Sequence, residues 1–293
     1  MATFKQVAST VGRVTLGASL FVGGKIADGY RTIDPDVMRH LAHVSLLSYS
    51  LFASRREKID PGKPDGHPPL ILVHGMGGNP GTFIPMAWYL WLQGRKRSYK
   101  INFEHGQSID QMAQALNRFV ADVLKATGER QVEIVAHSMG GIIARLALAR
   151  RGSAQRVKTL ITLGTPHRGT HVARFANTEL TLELRPDSAL MRRLAAISWP
   201  ARVRGVSFWS RADLLVLPPE SAALDGTEQV DASPITHYSY LIGPRCWVAV
   251  GQALAGQTPV FVPAQQPGKR RRTVNGRGAR ATRRRAGGLA ARS

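Results

Sequence analysis

The chain has 293 residues, 43% of them hydrophobic, and a formal net charge of +21. That apolar content is enough to build a sizeable core, and a lone cysteine, Cys246, rules out an intramolecular disulfide. Neither a metal nor any other cofactor is expected: no Cys/His cluster has ligand spacing, the acids are scattered, and His40 and His43 lack a third ligand nearby.

In chain order, residues 1–59 read as a helical extension ahead of the core. Val14 to Val22 is apolar with Lys5 and Arg13 upstream, loosely like a signal peptide. The run is short, Lys25 closes it, and no clear Ala-x-Ala site follows. It is also too short to span a bilayer unaided. Asp34-Pro35 supplies an N-cap and a first helical residue. Val37, Met38, Leu41, Val44, Leu47, Leu51 and Phe52 then mark one face of a helix ending near Arg55-Arg56. Packing on the core is the favoured role for that face, and a membrane-surface helix is the alternative. Residues 60–68 are a Pro/Gly-rich linker.

Residues 69–256 alternate strand and helix. Pro69 to Val73 reads as a buried strand and runs into the glycine-rich loop His74 to Gly81. That loop has no Gly-Lys-Ser/Thr ending, which argues against phosphate binding. Thr82 to Leu92 reads as an aromatic-rich helix and Tyr99 to Phe103 as a short strand. Ser108-Ile109-Asp110-Gln111 is a capping box. It opens a helix with Ile109, Met112, Leu116, Phe119, Val120, Val123 and Leu124 inward, closed by Gly128. Val132 to Val135 is the next apolar strand. Ala136-His137-Ser138-Met139-Gly140 follows it, and Gly141 to Leu148 is an apolar helix. A small-x-Ser-x-small pentapeptide by itself is mostly just a strand-to-helix turn. With a strand before and a helix after, it fits a nucleophile elbow, whose sharp turn requires small residues two before and two after the serine. Thr159 to Leu163 is another strand, and 171–200 has the length of a cap or lid. Val203 to Trp209 is a strand, and Arg245 to Ala255 is a closing helix. This β-α repetition means an α/β protein with a mostly parallel central sheet and helices on both faces.

Three motifs together, His74-Gly75-Met76-Gly77-Gly78, Ala136-His137-Ser138-Met139-Gly140-Gly141 and Leu163-Gly164-Thr165-Pro166-His167-Arg168-Gly169, resemble the α/β-hydrolase lipase/esterase family. The likeness is to small bacterial triacylglycerol lipases and esterases, including those with alanine first in the elbow, and it covers about residues 66 to 256. It implies the α/β-hydrolase fold, a Ser-Asp-His triad and hydrolysis of carboxylic esters. In that fold the triad follows the chain order Ser, acid, His. Of the three histidines after Ser138, His167 and His171 come too early to have the acid before them, which leaves His237. Asp213 follows the strand ending at Trp209, where catalytic groups of α/β sheets collect. Asp225, in an Asp-Gly turn, and Asp231, near the end of the last strand, are its rivals. The stretches 213–222 and 236–242 resemble the lipase family's post-acid and histidine loops, which favours Asp213 and His237. The expected oxyanion donors are the backbone N–H groups of Met76 and Met139.

Residues 257–293 form a basic tail: Lys269 to Arg292 carries ten positive charges and no acid. With almost no large apolar residue it is expected to be disordered. An anionic membrane surface or nucleic acid are its candidate partners, against a solvated tail with no dedicated partner. The expected function is ester hydrolysis on an ester or lipid substrate. Thioesterase or acyltransferase chemistry is the rival on the same fold, and a noncatalytic basic membrane- or nucleic-acid-binding protein the rival of another class. The expected location is cytoplasmic or peripheral to a membrane, with secretion left open.

Overall fold

The computed structural model describes residues 59–263; the expected N-terminal helix and the arginine-rich run lie outside the described residues. The elements in order are β1 (Leu70–Val73), α1 (Ile84–Leu92), β2 (Ser98–Lys100), α2 (Ile109–Thr127), β3 (Val132–His137), α3 (Met139–Leu148) and β4 (Val157–Leu163). Then come α4 (Glu179–Glu183), α5 (Ala189–Ala195), β5 (Arg204–Trp209), β6 (Glu228–Asp231), α6 (Ser239–Ile242) and α7 (Pro244–Leu254). The strands form one sheet in the order β2-β1-β3-β4-β5-β6, and every adjacent pair is parallel.

Alternation along each strand explains why both faces are covered. Ile71, Val73, Ile134, Ala136 and Leu160 point into a core shared with α2 and α3. Leu70, Leu72, Val135, Ile161, Leu163, Val206 and Phe208 point into a second core shared with α1 and α7. A strand buried on both faces must be apolar at consecutive positions, which is why β1 reads Leu-Ile-Leu-Val. Each such side chain contributes roughly 1.5–3 kcal/mol on burial. Glu133 departs from the pattern. It is fully buried, and its carboxylate is paired with Arg95, whose guanidinium also donates to the Leu254 carbonyl at 2.6 Å.

The capping box forms as expected: Ser108 Oγ accepts from Gln111 N–H, and Gln111 Oε1 accepts from Ser108 N–H. Gly128 ends α2 in the left-handed conformation. Two boundaries differ from the sequence reading. The turn from Pro80 to Phe83 is a 3-10 helix, and the α-helix starts at Ile84. Pro85 has no N–H to give, so it fits only the first turn of a helix and pins that start. The strand expected over 99–103 pairs only over Ser98–Lys100, because β1 is four residues long and turns away at His74.

Residues expected as a linker are tied to β2. Tyr99 Oη donates to the Asp60 carbonyl at 2.7 Å, and Asp65 accepts from the Lys96 N–H at 2.6 Å. At the other end the chain past α7 stays attached, with Val260 N–H donating to Gln252 Oε1 and Phe261 packed against the α1–α7 core.

The winding reverses between β1 and β3. From β1 the chain goes outward to β2, then returns to place β3 on the other side of β1. The carboxyl ends of those two strands form the topological switch point of the sheet, the usual ligand position in such folds. Val73 and Ala136 are register partners there. The glycine loop leaves one strand and the Ser138 turn leaves the other.

Candidate active site

Ser138 sits between the last residue of β3 and the first of α3, with φ 56° and ψ −129°. Among the described residues it alone has a positive φ without being glycine. Such a conformation costs on the order of 1–3 kcal/mol and persists only where its surroundings enforce it. Here Ser138 N–H donates to the Leu163 carbonyl at 2.9 Å, and the Ser138 carbonyl accepts from Gly141 N–H at 3.0 Å. Its neighbours His137 and Met139 are buried while Ser138 is half-buried, so the turn lifts the hydroxyl out of the core.

Two glycines make the turn possible. A Cβ on Gly140 would stand 2.5 Å from the Val73 carbonyl oxygen, so only glycine lets α3 leave this close to β1. A Cβ on Gly75 would stand 2.7 Å from Ser138 Cβ and 3.3 Å from its Oγ. The glycine loop's backbone is therefore in direct contact with the serine. Met76 and Gly77 form the corners of a turn closed by Gly78 N–H on the Gly75 carbonyl at 3.1 Å. Met139 N–H opens α3, where no preceding turn offers a carbonyl and the helix dipole is positive.

His74 braces this loop. Its Nδ1–H donates to the Gly75 carbonyl at 2.9 Å, and its ring meets Phe103 edge-on. Burial pushes its pKa down to about 4, so the imidazole is neutral and acts as a strut.

Asp213 follows β5 and is buried. Its Oδ1 accepts from Leu215 N–H at 2.9 Å and Val216 N–H at 3.2 Å. His237, also buried, places Nδ1 2.8 Å from Asp213 Oδ2 and 3.0 Å from Oδ1. The carboxylate oxygens accept, so the ring nitrogen that donates to Asp213 is Nδ1, and Nε2 is the nitrogen turned away from it. The rivals are engaged elsewhere. Asp231 pairs with Arg211 and accepts from Ser233 N–H, and Asp225 is exposed in its turn.

His137 is a residue the sequence reading left without a role. Its Nε2–H donates to the His237 carbonyl at 2.9 Å, and the two rings lie 4.6 Å apart. Burial, then the neighbouring His237, hold its pKa well below the usual histidine value. The residue before Ser138 thus ties the His237 loop to the end of β3. Nothing local signals this contact, because its two ends are 100 residues apart in the chain. Asp213 and His237 are in direct contact. The His137 tie brings the loop that carries this pair to the end of the strand from which Ser138 follows.

The stretch expected as a cap is built on 3-10 residues His171–Phe175 with α4 and α5. Leu190, Met191 and Leu194 pack into the core beside α3. Arg145 of α3 holds the arrangement from below, donating to the carbonyls of His167 at 3.1 Å and Leu194 at 3.0 Å. Val172 meets Met76, Ala176, Leu214, Leu215 and Leu217 in a small apolar cluster that joins the cap, the glycine loop and the loop after Asp213.

Comparison with known proteins agrees with this architecture. A family model described as a PGAP1-like alpha/beta domain matches residues 97–195, a span that contains Ser138 but not Met76, Asp213 or His237. A triacylglycerol lipase of Pseudarthrobacter phenanthrenivorans is 33% identical over 120 residues, covering 38% of this chain and 37% of that protein. A triacylglycerol lipase of Burkholderia plantarii is 33% identical over 120 residues, covering 38% of this chain and 33% of that protein. The chain spans about a third of the length of these curated relatives. The mature form of the Bacillus licheniformis lipase BlEst2 superposes with a TM-score of 0.58 at 19% identity, over 68% of this chain and 96% of that one. The fold of this chain is the α/β-hydrolase fold.

Proposed function

We propose that this α/β-hydrolase-fold chain is a serine hydrolase of carboxylic esters, of the lipase/esterase kind. The observation that carries the reading is the Asp213–His237 pair, with Nδ1 committed to the carboxylate and the loop tied by His137 to the strand that ends at Ser138. His237 Nε2 takes the proton of Ser138 Oγ as the oxygen attacks the ester carbonyl carbon. Asp213 stabilises the imidazolium and keeps the ring in the productive tautomer. Negative charge moves onto the carbonyl oxygen, where the Met76 and Met139 N–H groups donate to it. Collapse breaks the bond to the leaving alcohol, which receives the proton from His237 and leaves an acyl-Ser138. Nε2 then deprotonates water, water attacks the acyl carbon, and the carboxylic acid departs with Ser138 restored.

The cluster around Val172 supports an apolar acyl group beside the glycine loop, because it lines the side of the site formed by Met76 and the loop after Asp213. The relatives named triacylglycerol lipases support the same substrate class. The test is turnover of p-nitrophenyl esters of rising chain length, together with fluorophosphonate labelling. Ser138→Ala should lose labelling and about 10⁴- to 10⁶-fold in rate while remaining folded. A purified variant that keeps more than about a tenth of the activity overturns the assignment.

A further inference from the structure

We propose that the outer face of α1 and α7 is a docking surface for an anionic lipid bilayer. The inference rests on that surface alone and stands or falls independently of the ester-hydrolase reading.

Helix α1 is apolar on both sides. Met86, Ala87 and Leu90 enter the core, while Ile84, Trp88, Trp91 and Leu92 recur at the spacing of one helical stripe and face outward. Trp88 is 62% exposed and Trp91 47%. Single exposed apolar residues are ordinary, but a contiguous stripe with two tryptophans marks a contact surface. Helix α7 lies alongside, with Tyr89 and Trp247 rings 5.9 Å apart, and adds the exposed Val248.

The chemistry of the stripe identifies its occupant. Tryptophan is the residue of the membrane–water interface, where an apolar ring and a polar N–H are both satisfied. Residues 80–103 and 232–263, which carry α1 and α7, contain no aspartate or glutamate, and the half-buried Asp65 beside them accepts from the Lys96 backbone N–H at 2.6 Å. Lys96 and Arg245 are exposed on them, and the Lys96 ammonium lies 3.6 Å from the centre of the Trp91 ring. An apolar stripe that carries exposed cations, on a chain of net charge +21, is complementary to anionic headgroups over acyl chains. Later in the chain, outside the described residues, comes a run of ten Lys and Arg without an acid. A second copy would oppose like charges across this face, and residues 1–58 themselves carry more Lys and Arg than Asp and Glu. Among the described residues no helix is long and apolar enough to cross a membrane, so the contact described is with a surface.

The test uses the full chain and vesicles of phosphatidylcholine alone or with one-third phosphatidylglycerol. The wild-type protein should float with the anionic vesicles, and brominated lipids should quench its tryptophan emission. Trp88→Phe with Trp91→Phe should keep flotation and lose most of that quenching. Trp88→Glu with Trp91→Glu should lower partitioning about a hundredfold, since two interfacial anchors become carboxylates that the surface repels. Circular dichroism and thermal unfolding check that both variants remain folded. The proposal is overturned if the wild type does not bind. It is equally overturned if binding and quenching survive the glutamate pair, which would assign the contact to the basic tail. A face found covered in solution by residues 1–58 or by a second copy, through cross-linking or sedimentation, also overturns it.

Discussion

The Ser138 elbow and the loops carrying Asp213 and His237 meet at one sheet edge but are held there by different contacts. The elbow is fixed by its own strand and helix, by the Leu163 carbonyl, and by glycines that let β1 and the serine touch. Asp213 and His237 lie outside strands and helices, and their placing comes from bonds that reach across the chain. Asp213 holds His237 over 24 residues and His137 holds it over 100. In the elbow, small residues and one strained φ carry the geometry. In the loops, partners carry it, so the acid–base half should yield to the loss of a single hydrogen bond. The elbow half should yield only to added bulk or loss of the hydroxyl.

The strongest way to break the acid–base half is Asp213→Asn. An amide on His237 Nδ1 favours the wrong tautomer, so turnover should fall on the order of 10⁴-fold in steady-state kinetics. Asp231→Asn removes only an exposed pair with Arg211 and a turn contact, and should stay near wild type. The reverse ranking would move the catalytic acid to Asp231.

On the elbow side, Gly75→Ala places a Cβ 2.7 Å from Ser138 Cβ. The loop must withdraw, and the Met76 donor with it. The expected cost is about 10²- to 10³-fold in kcat, with circular dichroism unchanged. Wild-type kcat in this variant would show that the loop contributes no oxyanion donor.

The site's buried histidines also make the fold acid-sensitive. His74, His137 and His167 are held neutral in the folded protein, His74 at about 4 and the other two well below the usual value, with burial the first cause in each. Below the ordinary histidine pKa the unfolded chain takes up protons that the folded one refuses. This stability is therefore fully present above roughly pH 6.5 and is lost as pH falls toward the folded values. Denaturant unfolding should show more than about 1.4 kcal/mol lost per pH unit between pH 6 and 5, since each such histidine contributes up to one proton. A flat profile would mean that these imidazoles protonate in place.

The gentlest probe separates the two halves. His137→Phe keeps a ring beside Ser138 but removes the donor to the His237 carbonyl. The elbow should form unchanged while the histidine loop loosens, with kcat about tenfold lower and stability reduced by about 1–3 kcal/mol. KM on a small ester should hold. An unchanged kcat would show that the loop is positioned without this tie.

The amino-acid sequence by itself determined what short-range chemistry governs. The run Leu70 to Val73, the capping box at Ser108 and Gln111, and the small residues flanking Ser138 are each decided within a few positions, because backbone geometry and side-chain size act locally. Resemblance and chain order pointed to Asp213 and His237, and the structure brings those two into contact. Only the tertiary structure decided the rest. Arg95 neutralises the buried Glu133 across 38 residues, Arg145 joins the elbow helix to the cap, and His137 holds the loop of His237. It also left Trp88 and Trp91 facing outward from a helix that is apolar on every side. A sequence pattern records which side chains are apolar or charged. Which partner each one meets depends on the winding of the sheet, which brings residues far apart in the chain to the same edge.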